Sequence, residues 1–225
     1  MRKLSIRIIV ALLTFIIGIT ATAVWFINRS SIENLTQRKD ITPVAQKKQE
    51  LRVMIPNENW VPIFFEAIDE RAGIAKLPKL KTINLPKDDL EVRVWAGFGL
   101  TALEGFVLKR TNGQWSAIHL EGIHARLPRS EYQKQLQTPK SGWDAFWHRL
   151  VNAGILTLPD ASEVKCNTYI NDGMSYVVEV NANNTYRTYL YDNPDYAKCR
   201  EAKQMIGIIK IIGEEFSLQK FNIKE

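Results

Sequence analysis

Hydrophobic and polar positions follow three regimes along this chain. From Ile8 to Ile27 the run IIVALLTFIIGITATAVWFI holds 20 uncharged residues, of which only Thr14, Gly18, Thr20 and Thr22 are not hydrophobic. At about 1.5 Å per residue a helix of this length is about 30 Å long, the thickness of a bilayer's hydrocarbon core. The pattern predicts a transmembrane signal-anchor over 8–27 behind a short cytoplasmic tail at 1–7. Residues 28–50 are polar, with few large apolar side chains and one proline, and read as a stalk; Ser30 and Glu33 stand at capping-box spacing near its start. From Leu51 to Glu225 apolar positions recur at periods of two and of three to four, as in a globular domain.

Within 51–225 the periods sort into elements. Pro62 to Ala72 places Pro near a helix start and Gly73 just past its end, with Ile63, Phe64, Ala67 and Ile68 apolar. The stretch 74–89, with Pro78, Pro86 and four lysines, reads as irregular surface chain. Glu91 to Phe98 alternates Val92, Val94, Ala96 and Phe98 against Arg93, Trp95 and Gly97, a half-buried strand. Strands at 106–111 and 114–120 flank Asn112-Gly113, and a two-residue turn sets Arg110 opposite Trp115, Leu108 opposite Ala117 and Phe106 opposite His119. Ser141 is the expected N-cap of a helix with Trp143, Phe146, Trp147, Leu150 and Val151 on one stripe, stopped at Gly154. A second hairpin joins 175–180 to 185–191 through Asn181–Asn184. Asn193 and Pro194 should then open a long helix through Met205, Ile209, Ile212 and Phe216. Strands in hairpins without alternating crossovers predict an α+β domain. Its mainly antiparallel sheet, about five strands, is packed by two or three helices, with one inner face under the Trp143 and Met205 helices.

Composition changes this picture at one point, the charge. The chain has 225 residues with 30 Lys+Arg against 24 Asp+Glu, a net +6 that invites a nucleic-acid partner. Residues 1–30 hold four basic residues and no acid, and 31–50 hold four against three, which leaves 22 basic and 21 acidic residues for 51–225. The domain is nearly neutral, the excess belongs to the membrane end, and no nucleic-acid partner is expected. Arg2, Lys3 and Arg7 on one flank are offset by Arg29, Arg38 and Lys39 on the other, so charge barely orients the segment. A seven-residue tail is easily kept inside and folded domains translocate largely regardless of charge, so the C-terminal domain is expected outside the cytoplasm. Cleavage near Ala23, which would release the domain, is the competing reading, because Ala21-Thr22-Ala23 has the small-x-small form. Thr14, Gly18 and Thr22 share one helix face and suit the packing of two membrane helices, hence a homodimer through the anchor, against ordinary small residues in a spanning helix.

Cys166 and Cys199 are the only cysteines, and in an exported domain they are candidates for one disulfide, the alternative being two buried thiols. The bridge would close a loop of about 34 residues and contribute roughly 3 to 4 kcal/mol. His119 and Glu121 share a strand face near His124, yet a histidine opposite Phe106 reads as a hydrogen-bonded core residue, and no metal is expected. Gly97-Phe98-Gly99-Leu100-Thr101-Ala102 has the form of a dinucleotide fingerprint but is followed by strand and not helix, so no cofactor is expected. No phosphate loop, nucleophile elbow or zinc-protease pattern occurs, and no catalytic residue is assigned. The candidate ligand-binding residues are Arg93 and Trp95 on one strand with Arg187, Tyr189 and Tyr191 on another, types suited to gripping a protein or stacking on an envelope glycan. The expected function is a membrane-tethered, extracytoplasmic, non-catalytic binding module. The alternatives are a membrane-anchored hydrolase whose site comes from residues distant in sequence, and an assembly component acting through its membrane helix.

Overall fold

A computed structural model of the chain describes residues 51–56, 61–97, 103–123, 132–166 and 173–221. The expected anchor at 8–27 with Thr14, Gly18 and Thr22, the stalk at 28–50, His124 and most of the glycine-rich segment after Gly97 lie outside them. Among the described residues no helix is long and apolar enough to cross a membrane.

Seven strands form one sheet: β1 (Arg52–Met54), β2 (Leu90–Gly97), β3 (Leu103–Thr111), β4 (Gln114–Ile123), β5 (Gln133–Gln135), β6 (Ser175–Ala182) and β7 (Thr185–Asp192). Their spatial order is β1-β7-β6-β2-β3-β4-β5. Every pairing is antiparallel except that of β1 with β7, which is parallel, so the sheet is mixed. The five strands expected from alternation are present, and the hairpin register holds pair by pair from Phe106 opposite His119 to Arg110 opposite Trp115. Both tight hairpins turn on two residues of positive φ, Asn112 and Gly113 in the first and Asn183 and Asn184 in the second. That geometry matches the right-handed twist of the strands they join. β1 and β5 are three residues each, too short to show a period.

Three helices pack on this sheet: α1 (Val61–Ile74), α2 (Trp143–Asn152) and α3 (Arg200–Phe216). Helices α2 and α3 cover the face carrying Val92, Val94, Phe106, Leu108, Val178, Tyr189 and Tyr191, and there Phe146, Leu150, Met205, Ile208, Ile209 and Ile212 are fully buried. Helix α1 and residues 75–83 cover the opposite face, where Ile68, Ala72, Ala75 and Leu80 meet Trp95, Val107, Val177, Tyr186 and Leu190. Both faces of the sheet are therefore covered, not one. β2, at the centre of the order, is buried along its whole length, polar positions included.

Three helix boundaries differ from expectation for local reasons. α1 runs through Gly73 to Ile74 and stops at Lys76, whose φ of 58° ends the helical ladder. The residue before α2 is Gly142, with no side-chain cap, because Ser141 turns its backbone N–H to Glu215 instead. α3 begins at Arg200 and not at Asn193: Asn193 has φ of 45° and accepts a bond from the Met174 N–H, while Cys199 caps the helix by accepting from the Ala202 N–H at 3.2 Å.

Candidate functional site

A buried group of ionisable side chains lies beneath α1. On that face of β2, Glu91, Arg93 and Trp95 stand in a row, and β6 sets Asn181, Glu179 and Val177 beside them in register. Arg93 is only 1% exposed. Its Nε donates to Glu91 Oε1 at 2.7 Å and its Nη1 to the Pro78 carbonyl at 2.9 Å. Lys109, reaching across from β3, lies 3.1 Å from Glu91 Oε2, so Glu91 sits between two cations. Glu179 accepts from Trp95 Nε1 at 2.7 Å and from the Tyr186 hydroxyl at 2.9 Å. Burial pushes its carboxyl up from the ordinary range; Arg93 and those two donors pull the other way without overcoming it, and Asp69 adds to the rise. Burial foremost, with Glu179 beside it, likewise raises the Tyr186 phenol.

Residues 75–83 are bolted over this row. Asn181 Nδ2 donates to the Leu80 and Ile83 carbonyls at 3.0 and 2.7 Å, and Lys79 and Lys81 pair with Asp69 of α1 at 3.2 and 2.8 Å. The four-lysine stretch is thus partly tied to the fold. Arg93 Nη2 adds an ion pair to Glu91 Oε1 at 2.7 Å, whereas Asn181 Oδ1 is buried without a hydrogen bond among the described residues, which costs stability. Removing one member of such a cluster leaves the rest uncompensated, at a typical cost of about 3 to 5 kcal/mol. The cluster can hold α1 and its following loop to the sheet. Nearby, between α1 and β6–β7, runs a crevice of about 230 Å³ including open solvent, lined by Pro56, Phe65, Ile68, Asp160, Val177, Thr188, Tyr189 and Leu190.

The expected binding residues do not share one exposed face. Arg93 and Trp95 point to the α1 side, whereas Arg187, Tyr189 and Tyr191 belong to the face under α2 and α3. Trp95, Tyr189 and Tyr191 are each at most 1% exposed. Arg187, Tyr189 and Tyr191 instead fasten one loop to β7. Arg187 donates through both terminal nitrogens to the Leu156 and Leu158 carbonyls and stacks over Tyr189 at 5.2 Å. Tyr189 and Tyr191 donate their hydroxyls to the Ile155 and Pro159 carbonyls at 2.9 and 2.8 Å. Asp160, on the same loop, accepts the Leu190 N–H at 2.7 Å. A loop rich in carbonyls needs donors, and alternating Arg and Tyr on the adjacent strand supply them.

The remaining candidates have structural partners. Cys166 and Cys199 form a disulfide with Cα atoms 6.0 Å apart, which joins that loop to the start of α3 and suits an oxidising environment. His119 is buried, with Nε2 3.0 Å from Glu104 Oε2, and packs edge-on against Phe221. Among the described residues no cluster of His, Cys, Asp and Glu could hold a metal ion.

Comparison of the chain with known protein families, curated proteins and solved structures found no match. The reading of function rests on the geometry.

One surface was not singled out by sequence reasoning as a site. Trp115, beside the first hairpin turn, meets Trp143 and Trp147 of α2 at ring-centroid distances of 6.5 and 5.4 Å, the first pair nearly parallel at 12°. Arg110 lies over the Trp115 ring at 5.4 Å. All three tryptophans are half-buried, at the rim of the larger core, with Gln114, Ser116 and Asp144 exposed around them. The signal was available: the hairpin register set Arg110 opposite Trp115, and the stripe of α2 carried the other two rings. Only the packing of α2 against the hairpin brings them together.

Proposed function

We propose that this chain is a membrane-tethered, extracytoplasmic binding module. In this reading residues 8–27 anchor it, the stalk at 28–50 spaces it from the bilayer, and the disulfide-bonded α+β domain recruits a partner, an envelope glycan or a protein, without chemistry of its own. The partner docks on the tryptophan rim formed by Trp115, Trp143 and Trp147, with Arg110 supplying the cationic plane.

The observation that carries the reading is where the polar and aromatic groups are spent. Glu91, Arg93, Trp95, Glu179 and Tyr186 bond to one another under α1, and Arg187, Tyr189 and Tyr191 bond to loop carbonyls. The tryptophan rim, by contrast, keeps part of each indole at the surface, beside the Arg110 guanidinium that the Asp88 carbonyl holds in place through Nε and Nη2 at 3.0 and 2.7 Å. Tryptophan and arginine in that arrangement supply large rigid contact area at low entropic cost and are enriched among residues that dominate binding energy. The disulfide favours placement outside the cytoplasm.

The test is recovery of the partner cross-linked to the full chain in its own membrane. Trp115→Ala and Trp143→Ala should each reduce recovery about tenfold, the effect of roughly 1.4 kcal/mol, while the circular-dichroism melt stays cooperative. Undiminished recovery with both variants folded would overturn the assignment of this rim.

A further inference from the structure

The two ends of the sheet differ. At one end β5 presents Gln133, Lys134 and Gln135, a short polar edge with a lysine of the kind that discourages further pairing. At the other end β1 presents Arg52, Val53 and Met54, followed by Ile55. Val53, Met54 and Ile55 are 48%, 44% and 40% exposed, and they are consecutive.

Among the described residues the backbone of β1 is half used. Arg52 donates its N–H to the Asn184 carbonyl at 3.0 Å, and β1 runs parallel to β7 with Arg52 beside Thr185 and Met54 beside Arg187. In a parallel ladder alternate residues direct both backbone groups to the neighbour. The N–H and C=O of Val53, and by continuation those of Leu51 and Ile55, therefore point away from β7. The face assignment follows the same alternation: Val53 sits beside Tyr186, and Leu51 packs with Tyr186 on the α1 side of the sheet.

We propose that the outer edge of β1 pairs antiparallel with the same edge of a second copy of this chain, about a two-fold axis at Val53, joining the two sheets into one. The edge is self-complementary in this register. Val53 meets Val53 of the second copy, and each Leu51 meets the other copy's Ile55, so apolar side chains pair on one face. On the other face each Arg52 meets the other copy's Met54, and no like charges stand directly opposite. The outward-pointing groups of Leu51, Val53 and Ile55 become the hydrogen-bonded pairs of the new ladder. Pairing of β1 with β5 of another copy would instead be heterologous and would propagate without closing; the β1–β1 pairing closes after two copies.

The full chain in lipid nanodiscs tests this. Val53→Cys treated with a short bis-maleimide should give a covalent dimer, while Lys134→Cys on the opposite edge should not; Cys166 and Cys199 are bridged and do not react. Val53→Lys, which keeps the backbone groups and sets two like charges at the axis, should weaken dimerisation at least tenfold in mass photometry. Absence of the Val53→Cys dimer, equal cross-linking at position 134, or a dimer that survives Val53→Lys would overturn the proposal, the last outcome leaving the membrane helix as the association site.

Discussion

Among the described carboxylates Glu179 is the most buried, at 2% exposed, and its direction of shift has a consequence for stability. Burial raises its folded value above the ordinary 4.5. A group shifted this way stabilises the fold fully below its unfolded value and progressively less as pH rises through the folded one. Glu215 runs the opposite way: partial burial raises it, but the Ser141 N–H and Arg149 outweigh that and hold it below 4.5, so its contribution is present above the ordinary range and fades as pH falls through the depressed value. Replacing Glu179 by Gln removes the first effect alone. The melting temperature of Glu179→Gln relative to the native chain should rise as pH increases above the ordinary carboxylate range. A difference that stays flat with pH in calorimetry would count against the assigned environment. Which face each of these residues takes was legible, since Arg93 and Trp95 alternate with Val92 and Val94 along β2. That their face is dry was not, because burial there is imposed by α1 and residues 75–83, which are distant in sequence.

At the scale of elements, Cys199 has two roles that neither cysteine spacing nor helix periodicity states separately. It ties α3 to the loop ending at Cys166, and its Sγ accepts the Ala202 N–H as the helix N-cap. Cys199→Ser and Cys199→Ala both lose the bridge, at roughly 3 to 4 kcal/mol on the chain-entropy account. Serine can still cap. Cys199→Ser should therefore be more stable than Cys199→Ala by about 1 kcal/mol in urea unfolding, and equal midpoints would show that the cap contributes nothing. The displaced start of α3 has the same origin. Asn193-Pro194 reads locally as a helix opening, yet the Asn193 side chain is taken by the Met174 N–H and its backbone is left-handed. The first hairpin was the opposite case: Asn112-Gly113 carries its geometry in the turn residues themselves and the register followed pair by pair, whereas the second turn, expected over Asn181–Asn184, tightens to Asn183-Asn184 because β6 keeps pairing through Ala182.

For the whole molecule, the covered sheet and the bridged loop describe a domain built to keep its shape outside a reducing compartment, and the proposed anchor supplies its address. A full chain held by residues 8–27 should stay with membranes through alkaline carbonate extraction, while a chain beginning at Gln49 should be released and keep its disulfide. Release of the full chain by carbonate would remove the anchor from the proposal. The order of the five longer strands and the three helices, the Asn112-Gly113 turn with its pairing from Phe106–His119 to Arg110–Trp115, and the near-neutral charge of 51–225 follow from short-range pattern, because period, turn chemistry and composition act within about ten residues. The position of β1 beside β7, the second covered face, the use of Arg187, Tyr189 and Tyr191 as donors to a loop, and the meeting of Trp115 with Trp143 and Trp147 follow only from folding. Each depends on contacts between segments far apart in the chain, and a side chain's alternation tells which way it points but not what has been packed over it.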